Sequence, residues 1–241
     1  APAYTLRPGR SSSCYLVEMG GDAVVLDLGQ GSFSELGLHR RPESINGVFI
    51  SHLHADHLVD LVPLRHFLRY EAGSDGAVEL HGPRELRSRF DAFQGERDFL
   101  RVMPGDPLEP GSFELAAFVI EARHVTHIPD SFAFRISAAA GDAPGLVYSG
   151  DCSEPADLVP LLRPGDTLLC EAAFGTAEPG AGIHLTAGQA AEAAATGEAA
   201  RLVLTHILDR HDEQASRQAA ARVFGGEVLV AAPGLTLTVG G

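Results

Sequence analysis

Six residues, His52-Leu53-His54-Ala55-Asp56-His57, constrain this chain more than any other segment. They place four potential metal ligands directly after an apolar, strand-like stretch, Val48-Phe49-Ile50-Ser51. Side chains alternate faces in an extended segment, so His52 and His54 point the same way off the strand end, and the chain then turns to present Asp56 and His57. Two imidazoles can take one metal, and the carboxylate with the last imidazole can take a second about 3.5–4 Å away. Leu58, Leu61, Val62 and residues 64–68 supply a helical apolar stripe, so a helix is expected to begin here with His57 in its first turn. Packing alone is a poor explanation, because burying this cluster without a metal leaves several polar groups unsatisfied.

A chain of 241 residues can bury a substantial core, and one α/β domain over residues 1–241 is expected. No stretch approaches the roughly 18–20 consecutive apolar residues needed to cross a membrane, and the first residues show no basic-plus-apolar signal. Cys14, Cys152 and Cys170 are odd in number and form no C-x-x-C pair, which fits a reducing, cytoplasmic setting. Cys152 and Cys170 read as small buried hydrophobes. All 18 basic residues are Arg, and the net charge of -14 makes nucleic acid a disfavoured partner. Arg84, Arg87, Arg89, Arg97 and Arg101 alternate with acidic residues, as on a solvated helix face; Arg65 and Arg69 read the same way.

Strands are expected at residues 4–7, 14–18 and 23–27, with a turn at Gly20-Gly21-Asp22, and a short helix at 33–40. A strand at 78–81 and a helix at 83–93 follow the histidine run, then strands at 113–123, 132–137, 146–149 and 167–171. Thr186-Ala187-Gly188-Gln189 is a capping box opening a helix at 187–195. A strand at 202–205, a helix at 213–224 and strands at 228–230 and 235–239 complete the chain. Two sheets with helices outside satisfy this order.

Further ligands are expected where strands give way to loops. His127, Asp151 and His206 each occupy such a position, after the strand-like runs ending near Arg123, Gly150 and Thr205. Together, His52-x-His54-x-Asp56-His57, His127, Tyr148-Ser149-Gly150-Asp151 and Leu204-Thr205-His206, with the Asp27-Leu28-Gly29-Gln30-Gly31 loop, resemble the five motifs of the metallo-β-lactamase superfamily. The resemblance implies an α/β fold, the four-layer αβ/βα sandwich, and two divalent metals, Zn by preference with Mn or Fe as alternatives. It implies His52, His54 and His127 on one metal, Asp56, His57 and His206 on the other, Asp151 bridging them, and a metal-bridging hydroxide as nucleophile with Asp56 orienting the water. His124 competes with His127; the run from His127 to Arg135, in which the ligand precedes a strand ending in Arg, is similar to the family pattern and favours His127.

Two segments bear on the branch. Glu171-Ala172-Ala173-Phe174 and Gly182-Ile183-His184-Leu185-Thr186-Ala187 resemble the Glu-Ala-Thr-Phe and Gly-His-Ser-Thr-Ala segments of the phosphodiesterase branch, which includes RNase Z and cyclic phosphodiesterases. That implies a proton-donating or phosphoryl-steadying His184, with Glu171 either orienting it or serving as a buried, paired carboxylate. His184 lies just before a capped helix N-terminus, which favours an anion. RNase Z carries a long basic tRNA-gripping arm between its third and fourth motifs, whereas His127 to Asp151 leaves room only for a hairpin. A small, anionic phosphodiester, cyclic or nucleotide-derived, is therefore the expected substrate, and the same resemblance allows a homodimer. The alternatives are hydrolysis of an ester, thioester, lactone, sulfate ester or β-lactam, tRNA 3′-processing, a non-catalytic metal-binding scaffold, and a redox di-iron protein. His39, His66 and His81 have no partner ligands at suitable spacing, while His211 could approach the cleft.

Overall fold

A computed structural model describes residues 9–139, 143–178 and 182–240. The chain falls into two compact units, one formed by Ser11–Glu109 and one by Pro110–Gly241 with Ala1–Arg10. The strand expected at residues 4–7 lies outside the described residues.

In the first unit, β1 (Tyr15–Met19) and β2 (Asp22–Leu26) form an antiparallel hairpin. Its turn uses Gly20 and Gly21 at φ 60° and 102°, a region glycine enters without a Cβ penalty. β3 (Gly47–Phe49) and β4 (Glu79–His81) add in parallel, giving the order β1-β2-β3-β4. The apolar runs of β2 and β3 are almost wholly buried, as expected where both faces of a parallel pair are covered. Helices α1 (Ser32–His39), α2 (Ala55–Leu58), α3 (Leu61–His66) and α4 (Leu86–Gln94) complete the unit. Val25, Val48, Ile50, Leu64, Leu80 and Phe90 belong to its core.

The helix expected after the histidine run is broken between Leu58 and Leu61. Pro63 explains the break: it has no N–H for the carbonyl four residues back, and its ring crowds that carbonyl. The Asp60 N–H bonds instead to the Leu28 carbonyl at 3.1 Å. The structure also corrects the reading of two arginines. Arg65 is buried, with its guanidinium 4.4 Å from the centre of the Phe99 ring and hydrogen bonds to the Phe99 carbonyl and Glu96. Half-buried Arg87 donates to the carbonyls of Leu100, Met103 and Gly105. Both tie helices to the irregular segment after α4, because a guanidinium offers five donors in a fixed fork.

The second unit holds a seven-stranded sheet of order β11-β10-β9-β8-β7-β6-β5. Its strands are β5 (Gly111–Leu115), β6 (Phe118–Val125), β7 (Ser131–Ala138), β8 (Leu146–Tyr148), β9 (Thr167–Glu171), β10 (Arg201–Thr205) and β11 (Glu227–Val230). β8 through β11 are parallel, whereas β5 to β8 pair antiparallel. β6 therefore runs in the same direction as β8, β9 and β10, and the carboxyl ends of all four share one edge of the sheet.

The single strand expected at 113–123 is instead a hairpin, turned at Ala116 with φ 53°, a position no glycine or proline announces. Residues 235–239 form no strand; there the Arg201 guanidinium donates to the Thr238 carbonyl at 2.9 Å. The capping box forms as expected, opening α5 (Ala187–Thr196), whose Ala190, Ala191, Ala193 and Ala194 are buried; α6 (Glu213–Ala221) follows. Cys152 and Cys170 are buried, and desolvation pushes the Cys152 thiol up to about 12. No described helix is long and apolar enough to cross a membrane.

At the opposite edge, Arg135 on β7 meets buried Asp166 in a two-pronged pair of 2.8 and 3.0 Å. Asp166 also accepts the backbone N–H groups of Gly145 and Arg163. Removing one partner of such a pair strands the other charge, so Asp166→Ala is expected to cost about 3–5 kcal/mol. Chemical denaturation checks this, and a loss under about 1 kcal/mol would show that water replaces the carboxylate.

Candidate metal centre

In the first unit the site grows from the parallel pairing of β2 and β3, which sets Leu26 opposite Phe49 and so brings the two following loops side by side. Asp27 ends one strand and Ser51 extends beyond the other; both are fully buried. Asp27 has φ 59°, a left-handed conformation that Asp tolerates better than most residues. Its carboxylate accepts from the Ser51 N–H at 2.7 Å and from the Ser51 hydroxyl at 2.8 Å, and lies 2.7 Å from His57 Nδ1. A carboxylate behind one ring nitrogen leaves the other to a metal, as in most metal-ligating histidines.

His52 and His57 are buried, with ring centres 4.1 Å apart, and Nε2 of His52 stands 3.0 Å from Nδ1 of His54. His54 is the N-cap residue of α2, Asp56 lies in its first turn, and Asp56 Oδ2 is 3.8 Å from His57 Nε2. The strand-then-turn presentation expected from the sequence is thus present. A strap of backbone bonds holds it: Leu28 N–H to the His57 carbonyl, Ser13 N–H to the Asp56 carbonyl, and Gly29 N–H to the Ser13 carbonyl. At Gly29 an added Cβ would overlap the Asp56 carbonyl, so only glycine fits between the loops. Arg89 adds a side-chain bond to the Leu53 carbonyl at 3.2 Å.

In the second unit the carboxyl ends of β6, β8, β9 and β10 deliver His127, Asp151, Glu171 and His206 to one sheet edge. The two oxygens of Asp151 address different imidazoles: Oδ2 is 3.9 Å from His127 Nε2, and Oδ1 is 3.7 Å from His206 Nε2. These separations are too long for hydrogen bonds, yet suit donors each about 2.0–2.2 Å from a shared ion. His127 Nδ1 donates to the Ile183 carbonyl at 2.8 Å, which puts the ring proton there and leaves the lone pair on Nε2, the atom nearer Asp151. His206 has φ 56°, a strained conformation of the kind that collects at functional loops. Asp151, His184 and His206 present donor atoms within 4.8 Å of one another.

Glu171 is buried and held on every side: Oε1 accepts the Cys152 N–H, Oε2 accepts the Ala173 N–H, and His184 Nδ1 lies 2.9 Å from Oε1. Burial pushes its carboxyl above the ordinary range, and the bond to His184 opposes that rise. His184 rests edge-on against Phe174 and stacks toward His206, with ring centres 5.5 Å away in each case. His124 lies exposed on β6 against the Phe132 ring, so His127, not His124, faces Asp151. His211 lies against Gly175 and is outside the group of Asp151, His184 and His206. The sequence reading missed Ser51 and the carboxylate of Asp27 as orienting groups; a polar residue ending each of two strand-like runs was the available signal.

The sequence matches the beta-lactamase superfamily domain over residues 22–207, well over half the chain. The chain belongs to this superfamily. As a metallo-β-lactamase-fold protein it is similar to Mycobacterium leprae protein ML1173, at 33% identity over 90% of this chain and 78% of the relative. The probable metallo-hydrolase YhfI of Bacillus subtilis is 27% identical over 93% and 91% of the two chains. The crystal structure of YhfI superposes with a TM-score of 0.84 at 24% identity, covering 95% of this chain and 92% of that one. The short form of human tRNase Z follows at a TM-score of 0.76 and 24% identity, covering 98% and 96%. A diphosphatase of the PhnP family gives 0.70 at 22%, covering 94% and 83%. Imidazole and carboxylate groups suit a divalent metal, and this superfamily member is a metal-dependent hydrolase.

Because nothing larger than hydrogen fits at Gly29, Gly29→Ala is expected to cost about 1–3 kcal/mol and to lower metal content. Thermal unfolding with metal analysis checks this; unchanged values would show that the strap yields.

Proposed function

We propose that this hydrolase is a dinuclear phosphodiesterase acting on a small or cyclic, anionic phosphodiester. His52, His54 and His127 hold one metal, Asp56, His57 and His206 the other, and Asp151 bridges them. Zn is the first choice of metal, with Mn and Fe as alternatives. The bound metals supply Lewis acidity and an activated water.

The observation that carries the reading is the Glu171–His184 pair beside Asp151. With Nδ1–H given to Glu171, it is the doubly protonated ring of His184 that carries a proton on Nε2 for a leaving oxygen, and the carboxylate favours that cation. Thr186 caps α5 two residues later; the N–H groups of Thr186, Ala187 and Gln189 are bonded within the protein, so α5 contributes the field of its N-terminal dipole and not open N–H donors. Asp56 supplies a carboxylate that orients water. An ester, lactone or β-lactam needs the same metals but not this second proton donor, which is why a phosphodiester is preferred. Two similar structures, a tRNase Z and a diphosphatase, are named for cleavage at phosphorus, in agreement with this preference. The hairpin of β7 and β8 fills the stretch from His127 to Asp151 where a tRNA-gripping arm would lie, so a small substrate is favoured over tRNA. Three free cysteines, Cys14, Cys152 and Cys170, fit a cytoplasmic site of action.

The test is hydrolysis of bis(p-nitrophenyl) phosphate by metal-loaded protein, with a simple ester and a β-lactam as controls. His184→Ala is expected to lower kcat by about 10²–10⁴-fold at nearly unchanged metal content, whereas Asp151→Ala loses metal and activity together. Chelation should abolish turnover, and added Zn or Mn should restore it. Cleavage of only the ester or lactam, with His184→Ala at the wild-type rate, would overturn the phosphodiesterase reading.

A further inference from the structure

Ser51 sits at a junction of three groups. Its hydroxyl is 2.8 Å from Asp27 Oδ2 and 3.0 Å from His52 Nδ1, and Asp27 Oδ2 is also 2.7 Å from His57 Nδ1. Ser51, Asp27, His52 and His57 are all fully buried. The hydroxyl has one proton to give and a carboxylate only accepts, so that proton belongs to Asp27. Given the other way, to His52, it would leave two oxygen lone-pair surfaces facing each other at 2.8 Å in a dry interior. The Ser51 oxygen must then accept from His52, which places a proton on His52 Nδ1. By the same logic His57 donates from Nδ1 to Asp27.

We propose that Ser51 is a positioning residue that extends the reach of Asp27 from His57 to His52, so that one buried carboxylate sets the tautomer of two histidines. The proton order is His52 Nδ1–H to Ser51 Oγ, Ser51 O–H to Asp27, and His57 Nδ1–H to the same carboxylate. Both histidines then present a bare Nε2. On its far side that bare nitrogen of His52 meets His54 Nδ1 at 3.0 Å, a pair of ring nitrogens that needs a proton or a cation between them. The consequence for binding rests on His52 and His57 serving different metals, as proposed above: Asp27 couples the two metal positions, and Ser51 belongs to one of them. Hydroxyl and carboxylate have separate effects because the branch to His57 does not pass through Ser51.

Long-range proton–nitrogen correlation spectra of histidine-labelled, metal-free protein test the tautomers directly. Wild type is expected to show His52 and His57 both protonated at Nδ1. In Ser51→Ala, His52 loses its single tautomer while His57 keeps its own; in Asp27→Asn both change. His52 protonated at Nε2 in wild type, or a Ser51→Ala spectrum identical to wild type, overturns the proposal, and the wild-type spectrum alone can do so if the variant does not fold. A Zn titration against a chromophoric chelator follows. Ser51→Ala is expected to weaken one of two sites by about 10–100-fold, and Asp27→Asn to weaken both. Wild-type affinity at both sites in Ser51→Ala also overturns it. Wild type that binds no Zn yet shows the expected tautomers supports the relay and removes the dinuclear reading.

Discussion

A polar side chain can be buried at a strand end only if something orients and satisfies it, and that requirement organises the chemistry of both units. Asp27 does this for His57 and, through Ser51, for His52. The Ile183 carbonyl does it for His127, and Glu171 for His184. In each case one ring nitrogen is occupied from behind and the other is left facing forward. Loss of any of these supports would leave a buried imidazole free to rotate or change tautomer, so donor direction depends on groups that need not touch a metal.

Parallel strands make this arrangement possible. They deliver successive loops to one edge, where open α/β sheets gather their binding groups. Asp27 and Ser51 lie side by side because β2 and β3 run parallel in register. Asp151, Glu171 and His206 share an edge because β8, β9 and β10 do the same. His127 joins them from β6, which two antiparallel steps return to the same direction.

The histidine run, the strand-end carboxylates and the Thr186 capping box could be read from the sequence because each is a local pattern whose chemistry depends on neighbours a few residues away. The features that escaped depend on distant partners or on unmarked turns. Arg65 is buried because Phe99 and Glu96 come to meet it, and no helix-face pattern reports that. Ser51 matters because of a carboxylate 24 residues earlier. The turn at Ala116 uses a left-handed alanine where glycine would have announced it. Pro63 lies inside the apolar stripe from which one helix is expected, and the helix divides just before it, between Leu58 and Leu61.

The seven-stranded sheet also separates two kinds of work between its edges. The Arg135–Asp166 clamp, with the Gly145 and Arg163 backbone bonds, fastens the beginnings of β8 and β9, whereas the chemistry-bearing residues follow their ends. Substitutions in the loops at the reactive edge leave the fastening untouched. Such a scaffold can be retuned to a new substrate by changing loops alone, with its stability secured a strand's length away.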